Sequence, residues 1–239
     1  MLPEQYLNEV QIEISKGNCE AFGGPDRADD NFSSVQKAIN YAMTSFFTTG
    51  GIRGGKKKLD RFYPRSYNMG IKRDVWIELG GFSQMRFGED IDFSLRLFKA
   101  GYNIKLFPKA WVFHKRRVDL KKFYRQVYNF GIARIDLEIR HPKSMKLVHT
   151  LPALFTLSTI GLLVLGFISP ITWIPLIIYS LIIAIDSSIK NRSLIVGVIS
   201  IVTSYVQLYG YGLGFLDSFW KRVILKGESF TAFQKTFYK

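Results

Sequence analysis

Residues Leu147 to Ile185 read LVHTLPALFTLSTIGLLVLGFISPITWIPLIIYSLIIAI, with no Asp, Glu, Lys or Arg anywhere in the run. A spanning helix needs about 20 predominantly apolar residues, so this stretch is long enough for two crossings. Ser169-Pro170 divides it, because proline favours a turn between helices. The reading is a helical hairpin with spans at 147–168 and 171–185. After Asp186 to Arg192, a third apolar stretch runs over 194–216. Tyr205, Tyr209 and Tyr211 crowd its second half, as an interfacial aromatic belt would.

Working back from this region, the overall net charge of +14 is unevenly placed. Residues 1–98 carry thirteen basic and thirteen acidic side chains, whereas 99–146 carry thirteen basic residues against Asp119, Asp136 and Glu138. A cationic collar directly before the first span suits anionic membrane lipids or a phosphate-bearing substrate. Its position beside a span favours lipid over nucleic acid. Within it, Leu120, Phe123, Val127, Phe130 and Ile135 recur at helical spacing among lysines and arginines. The region 118–146 is therefore expected to be a basic amphipathic helix lying along the membrane surface, and 217–239 a basic tail. Cys19 is the only cysteine, so no intramolecular disulfide forms, and no signal-peptide pattern opens the chain.

The basic flanks of the spans, Arg140, Lys143 and Lys146, then Lys190 and Arg192, then Lys221 and Arg222, all call for the cytosolic side. Three full crossings do not satisfy that, which leaves the last stretch re-entrant or the crossing count changed by a missing N-terminal partner. The expected location is a cell membrane, inner or plasma, with several passes and a cytosolic soluble part.

The front of the chain, 1–117, reads as mixed α/β. A helix is expected within Leu2 to Ser15, a strand at Glu20 to Phe22, and a helix capped by Asn31 or Ser33 that runs to Phe47. Thr48 to Lys58, with four glycines, Arg53 and three lysines, has a composition that can approach a phosphate closely, or that of a linker. A helix over Asp74 to Leu79 stops at Gly80-Gly81, and a second opens at Gly88-Glu89-Asp90-Ile91-Asp92 and ends at Gly101. Short strands follow at Asn103 to Phe107 and Ala110 to Phe113.

Three acids in four positions, Glu89, Asp90 and Asp92, are costly to bring together. An acid at an N-cap accepts free backbone N–H groups and acids in the first turn complement the helix dipole. A carboxylate fixed there can equally serve as a general base. The two readings are compatible.

Taken in order, Asn68-Met69-Gly70 with Lys72-Arg73, Gly80-Gly81-Phe82, Gly88-Glu89-Asp90, Asp92 to Arg96, Gly101-Tyr102 and a strand ending at His114 resemble the acceptor half of family-2 glycosyltransferases with the GT-A fold. The resemblance covers about residues 1–140, and such enzymes often continue into membrane helices. It implies a partial GT-A-like α/β domain with an incomplete sheet, followed by an α-helical transmembrane region. It makes Asp90 the catalytic base and Glu89 its neighbour, with Asn68, Arg53, Arg73, His114, Gln126 and Arg134 in the acceptor or donor site. Asp92, Gly81 and Gly88 are structural near it. His114 stands where some members place a metal or diphosphate contact. Gln126 lacks the Arg-Trp that completes the motif of processive relatives, so transfer of a single sugar is the safer inference.

The same family holds a divalent cation, Mg2+ or Mn2+, on the donor diphosphate through an Asp-x-Asp motif in a nucleotide-binding half. No such half closed by that motif is read here, and Pro3 to Leu7 looks like the segment just after it. The expectation is a fragment, or a half needing a partner chain, inactive alone. The activity implied for the intact enzyme is sugar transfer from a nucleotide-sugar donor to a hydroxyl of a lipid-linked or glycan acceptor in polysaccharide biosynthesis, with inversion. The alternative is a non-enzymatic membrane scaffold that retains the acceptor surface.

Overall fold

The computed structural model describes residues 2–27, 31–50 and 61–227. The chain divides into two compact units, one built from 1–29 and 60–115, the other from 30–59 and 116–228.

The first unit is the α/β one. Helix α1 (Tyr6–Ser15) precedes strands β1 (Ala21–Gly23) and β2 (Asp26–Arg27), and β3 (Met69–Ile71) leads into α4 (Arg73–Glu78). Helix α5 (Glu89–Lys99) is followed by β4 (Ile104–Leu106) and β5 (Val112–Phe113). The sheet order is β3-β1-β4, with β1 antiparallel to β3 and parallel to β4; β2 pairs in parallel with β5. One core packs Ala21, Val75, Phe93 and Leu97 under Met69, Ile71 and Ile104. A second packs Cys19, Phe107 and Ala110 with Tyr6 and Phe22 from the other side of the short sheet. This is the mixed, incomplete sheet expected from the sequence.

Helix α4 ends where Gly80 and Gly81 take φ of +70° and +66°, the left-handed region that glycine enters without a Cβ penalty. At Gly81 the choice is doubly determined, since a Cβ would stand 2.7 Å from the Trp76 ring. Arg96 then ties this turn to α5. Its Nε donates to Asp92 Oδ2 at 3.0 Å, while Nη1 and Nη2 donate to the Leu79 and Gly81 carbonyls, both at 2.6 Å.

The second unit is helical and contains α2 (Ser34–Thr44), α3 (Phe46–Thr49), α6 (Leu120–Arg140), α7 (Leu147–Gly166), α8 (Ile174–Asn191) and α9 (Leu194–Phe219). Ser33, one of the two expected caps, closes a capping box with Gln36. The helix it starts stops at Thr44, and Ser45 begins α3 instead of letting one helix run on to Phe47. Residues 31–50 also leave the front domain in which the sequence places them. Ile39, Ala42 and Met43 of α2 pack with Phe123 and Val127 of α6, so their burial belongs to the helical unit.

Helix α9 is the axis of this unit. Gly210, Gly212 and Gly214 leave room for close neighbours: a Cβ on Gly214 would run into the Tyr128 carbonyl of α6, and one on Gly212 into Thr156 of α7. Helix α6 returns the fit with Gly131, whose Cβ would meet the α9 backbone at Tyr211 and Phe215. The apolar stripe expected to lie on a membrane surface is therefore buried in protein, with Phe123, Val127, Ala133, Ile135 and Leu137 all covered. The remaining face of α6 carries Lys121, Lys122, Arg125 and Arg140. Placing such charges at the centre of a bilayer costs about 2.5–3.5 kcal/mol each on insertion scales.

Among the described residues, three helices are long and apolar enough to cross a membrane: Leu147–Gly166, Pro170–Asn191 and Leu194–Ile224. The second outruns the expected 171–185. A 3-10 turn over Pro170–Trp173 opens it, and Asp186, which seemed to end it, pairs with Lys190 at 2.8 Å and accepts the Tyr41 hydroxyl at 2.7 Å. The third continues past 216 through Phe219 into a π-helical turn at Trp220–Ile224, so the start of the expected tail is helical. Tyr205 and Tyr209 do not form an outward belt; they pack with Phe155 of α7 and, for Tyr205, with Tyr179 of α8.

Candidate active site

The acids open α5, but none is its N-cap. Gly88 caps the helix in the left-handed region (φ +82°) and provides no side chain, so Glu89, Asp90 and Asp92 occupy the first turn. There they face the partial positive charge of the exposed N–H groups. Asp92 is buried and spent on Arg96.

Asp90 is 8% exposed, and its two oxygens are used differently. Oδ1 accepts the backbone N–H of Ile91 at 2.8 Å. Oδ2 faces the loop before β3, accepting the Ser66 N–H at 3.4 Å with Arg65 Nη1 at 3.7 Å. Glu89 Oε1 accepts from Ser66 Oγ at 3.3 Å. Burial raises the Glu89 carboxyl above its ordinary value, and the Asp90 charge adds to that; its backbone hydrogen bond, Ser66 and Arg65 oppose the rise. The pair thus offers one carboxylate with a nearby cation and one pushed toward its protonated form.

Arg65 and Ser66 were not singled out by the sequence reading. Their position is set by a tight turn in which Asn68 N–H donates to the Arg65 carbonyl at 2.8 Å. Asn68, a predicted site residue, is buried and acts as the bolt of this turn. Its Oδ1 accepts the Tyr6 hydroxyl at 2.7 Å and its Nδ2 donates to the Ala110 carbonyl at 3.0 Å. Gly24 lies beside it, where a Cβ would collide with the Ala110 carbonyl. A usable signal did exist, since an Arg-Ser pair directly before the Tyr-Asn-Met-Gly motif must travel with it.

Between Ser66 and Asn68, Tyr67 stands 41% exposed and stacks on His114, with ring centroids 4.0 Å apart. His114 is held by β5, its N–H donating to the Arg27 carbonyl at 3.2 Å. Arg27 in turn lies over the Trp111 ring at 4.2 Å. An aromatic surface of this kind can receive the apolar face of a sugar ring.

The other predicted residues fall elsewhere. Arg73 is exposed on the first turn of α4, and the cation beside Asp90 is Arg65. Gln126 and Arg134 belong to the helical unit. Gln126 is half-buried on α6, and Arg134 is buried with Nη2 donating to Ser144 Oγ at 2.6 Å. That bond secures the turn after α6 together with Glu138, which accepts the Lys143 and Met145 N–H groups at 2.8 and 2.6 Å. Arg53 lies outside the described residues.

Among the described residues no group of three His, Cys, Asp or Glu side chains is placed to hold a metal ion. His114 by itself can offer one ligand, so these residues do not make the cation site that the resemblance implies, and no step is assigned to a metal through them.

No curated protein and no solved structure matches the chain. A family model described as glycosyl transferase family group 2 matches residues 64–187, from the Arg65-Ser66 turn through α5 to the second apolar helix. The match covers half of the chain and contains both carboxylates and the turn that faces them, and by it the protein belongs to glycosyl transferase family group 2.

Proposed function

We propose that the protein takes part in transfer of a sugar from a nucleotide-sugar donor to a hydroxyl group of a lipid-linked or other membrane-associated acceptor in glycan assembly. Asp90 is the general base. It removes the hydroxyl proton as the acceptor oxygen bonds to the anomeric carbon, the bond from that carbon to the diphosphate breaks, and the nucleoside diphosphate leaves with the electron pair. Attack opposite the leaving group inverts the anomeric centre.

The observation that carries this reading is the fixed Asp90 carboxylate, one oxygen tied to its own helix and the other turned toward Arg65 and Ser66, in a chain of a sugar-transferring family. Helix opening and loop hold the carboxylate in a fixed position, and a base must be positioned within reach of the proton it takes. Glu89, with its raised affinity for protons, is suited to donating a hydrogen bond to an acceptor oxygen. The Tyr67-His114 stack lies next along the chain from Ser66 and suits the acceptor ring. A divalent cation on the donor diphosphate belongs to the proposal, with ligands beyond those described here.

The test is sugar transfer by native membranes containing the protein, with a panel of radiolabelled nucleotide sugars, compared with Asp90→Asn. A general base supplies about 10²–10⁴-fold, and a loss of that size in kcat with normal protein level supports the assignment. Transfer that survives Asp90→Asn unchanged removes it.

A further inference from the structure

We infer that α9 does not cross the bilayer: the helical unit seats on one side of the membrane through the α7–α8 hairpin, and the end of α9 stays on the side from which the chain enters α6. The inference rests on the membrane reading above and specifies which of the three apolar helices carry it.

The register between α6 and α9 decides the matter. Side by side and running in the same direction, they pair Val127 with Gly210, Tyr128 with Gly214, Gly131 with Phe215, Ile132 with Ser218, and Asp136 with Arg222. The Tyr128 hydroxyl also donates to Asp217 Oδ2 at 3.0 Å, and Arg222 Nε to Asp136 Oδ1 at 3.2 Å. Helix α6 therefore accompanies α9 through Val127–Asp136 at the depth of Gly210–Arg222. Continued back toward the start of α6, the same register sets Lys121, Lys122 and Arg125 of its uncovered face level with the middle of α9, and Arg140 lies beyond Asp136, so α9 cannot run through hydrocarbon unless those charges do as well.

The first half of α9 is constrained from its other end. Thr203 donates to the Ala38 carbonyl of α2 at 3.0 Å, and Tyr41 of the same helix donates to Asp186 at the end of α8. Only Leu194–Val202 is left without a polar helix beside it. At about 1.5 Å per residue that is about 14 Å, against roughly 30 Å of hydrocarbon. Burial agrees with this account, since 44% of the α9 window lies inside the protein compared with 17% for α7 and 11% for the helix of Pro170–Asn191.

The hairpin has the opposite character. Between Thr159 and Leu176 its two arms meet each other, through Thr172 to the Leu162 carbonyl and Trp173 over Gly166, while Leu176, Tyr179 and Ser180 already touch Tyr205 or the Phe47 carbonyl. Phe167, Ile168 and Ile171 at its tip are 86%, 82% and 67% exposed. No charged residue occurs from Leu147 to Ile185. An uncharged tip exposed on every side matches lipid better than a protein partner, which would cover one face. With only α7 and α8 entering the membrane, the basic groups at Arg140, Lys143 and Lys146, at Lys190 and Arg192, and at Lys221 and Arg222 all lie on one side. That is the arrangement the positive-inside rule asks for and three crossings forbid.

The experiment uses the full chain with Cys19→Ser and single cysteines at the exposed positions Lys99→Cys in the first unit, Arg192→Cys before α9 and Leu225→Cys after it, and at the half-buried Ser169→Cys of the hairpin tip. Sealed membrane vesicles of one orientation are treated with an impermeant maleimide before and after permeabilisation. The inference expects Lys99→Cys, Arg192→Cys and Leu225→Cys to react from the same face and Ser169→Cys to be protected from it. Labelling of Leu225→Cys only from the face opposite Lys99→Cys overturns it, because α9 then crosses. Ser169→Cys reacting from the Lys99 face, or linking two copies by a disulfide, overturns the hairpin assignment. Failure of the chain to float with vesicles in a density gradient is a separate outcome that removes the membrane reading itself.

Discussion

Arg65 Nη1 stands 3.7 Å from Oδ2 of Asp90, on a turn that reaches the helix opening from outside α5. The guanidinium favours the charged form of Glu89, opposing the effect of burial. Arg65→Gln is expected to make the Glu89 carboxyl hold its proton more tightly. Under the proposed mechanism, in which protonated Glu89 donates a hydrogen bond to the acceptor, the alkaline limb of the pH–rate profile for sugar transfer then moves to higher pH, while activity on the acid side of that limb changes less. A profile that only drops, with its limb unmoved, contradicts the electrostatic role.

Glu89 gives a stability test that needs no substrate. Its folded carboxyl binds a proton more tightly than the unfolded one, whose ordinary value is 4.5. The folded state therefore holds more protons above that value, and stability falls as pH rises from there through the raised folded value. Glu89→Gln removes this dependence. Thermal unfolding of the purified protein should match the parent near pH 4 and exceed it at pH 7; equal midpoints at both would contradict the burial argument.

Arg96 joins two segments by three hydrogen bonds, and losing it takes this ion pair from the buried Asp92 carboxylate and these donors from two carbonyls. Its own side chain is 25% exposed, which moderates the cost below that of a fully buried pair. Arg96→Leu should lower stability by about 2 kcal/mol, read from denaturant unfolding. Asp92→Asn, which keeps a partner for Nε, should cost less.

Glycines on the helical bundle separate close packing from open space. Gly214→Val forces a side chain into the Tyr128 carbonyl and should destabilise the α6–α9 contact by about 1–3 kcal/mol. Gly161→Ala meets nothing within 4 Å and should be neutral or stabilising by up to about 1 kcal/mol. Melting of the detergent-solubilised protein orders the two, and an equal loss at both positions would contradict the glycine contacts.

The apolar run from Leu147, the helix punctuated by Gly88 and Gly101, and the capping box at Ser33 were all legible as local patterns, because capping and periodicity act within a few residues. The cluster of Glu89, Asp90 and Asp92 at one helix start was legible in the same way, whereas the choice of Asp90 among them came from the family resemblance. What local pattern left open was which partner each surface would find. The stripe of Phe123 and Val127 promises burial without saying whether lipid or protein supplies it, and α9, through three glycines, supplies protein. Tyr205 and Tyr209 carry the composition of an interfacial belt, yet Phe155 reaches them first. Asp186 reads as the end of a span until Tyr41 and Lys190 satisfy it. Amphipathic spacing is a property of a short segment, so the sequence by itself determined where the helices, the apolar run and the acids lie. The pairing of Arg65 with Asp90 and the sheathing of α9 depend on where distant backbone segments are brought, and only the tertiary structure decided them.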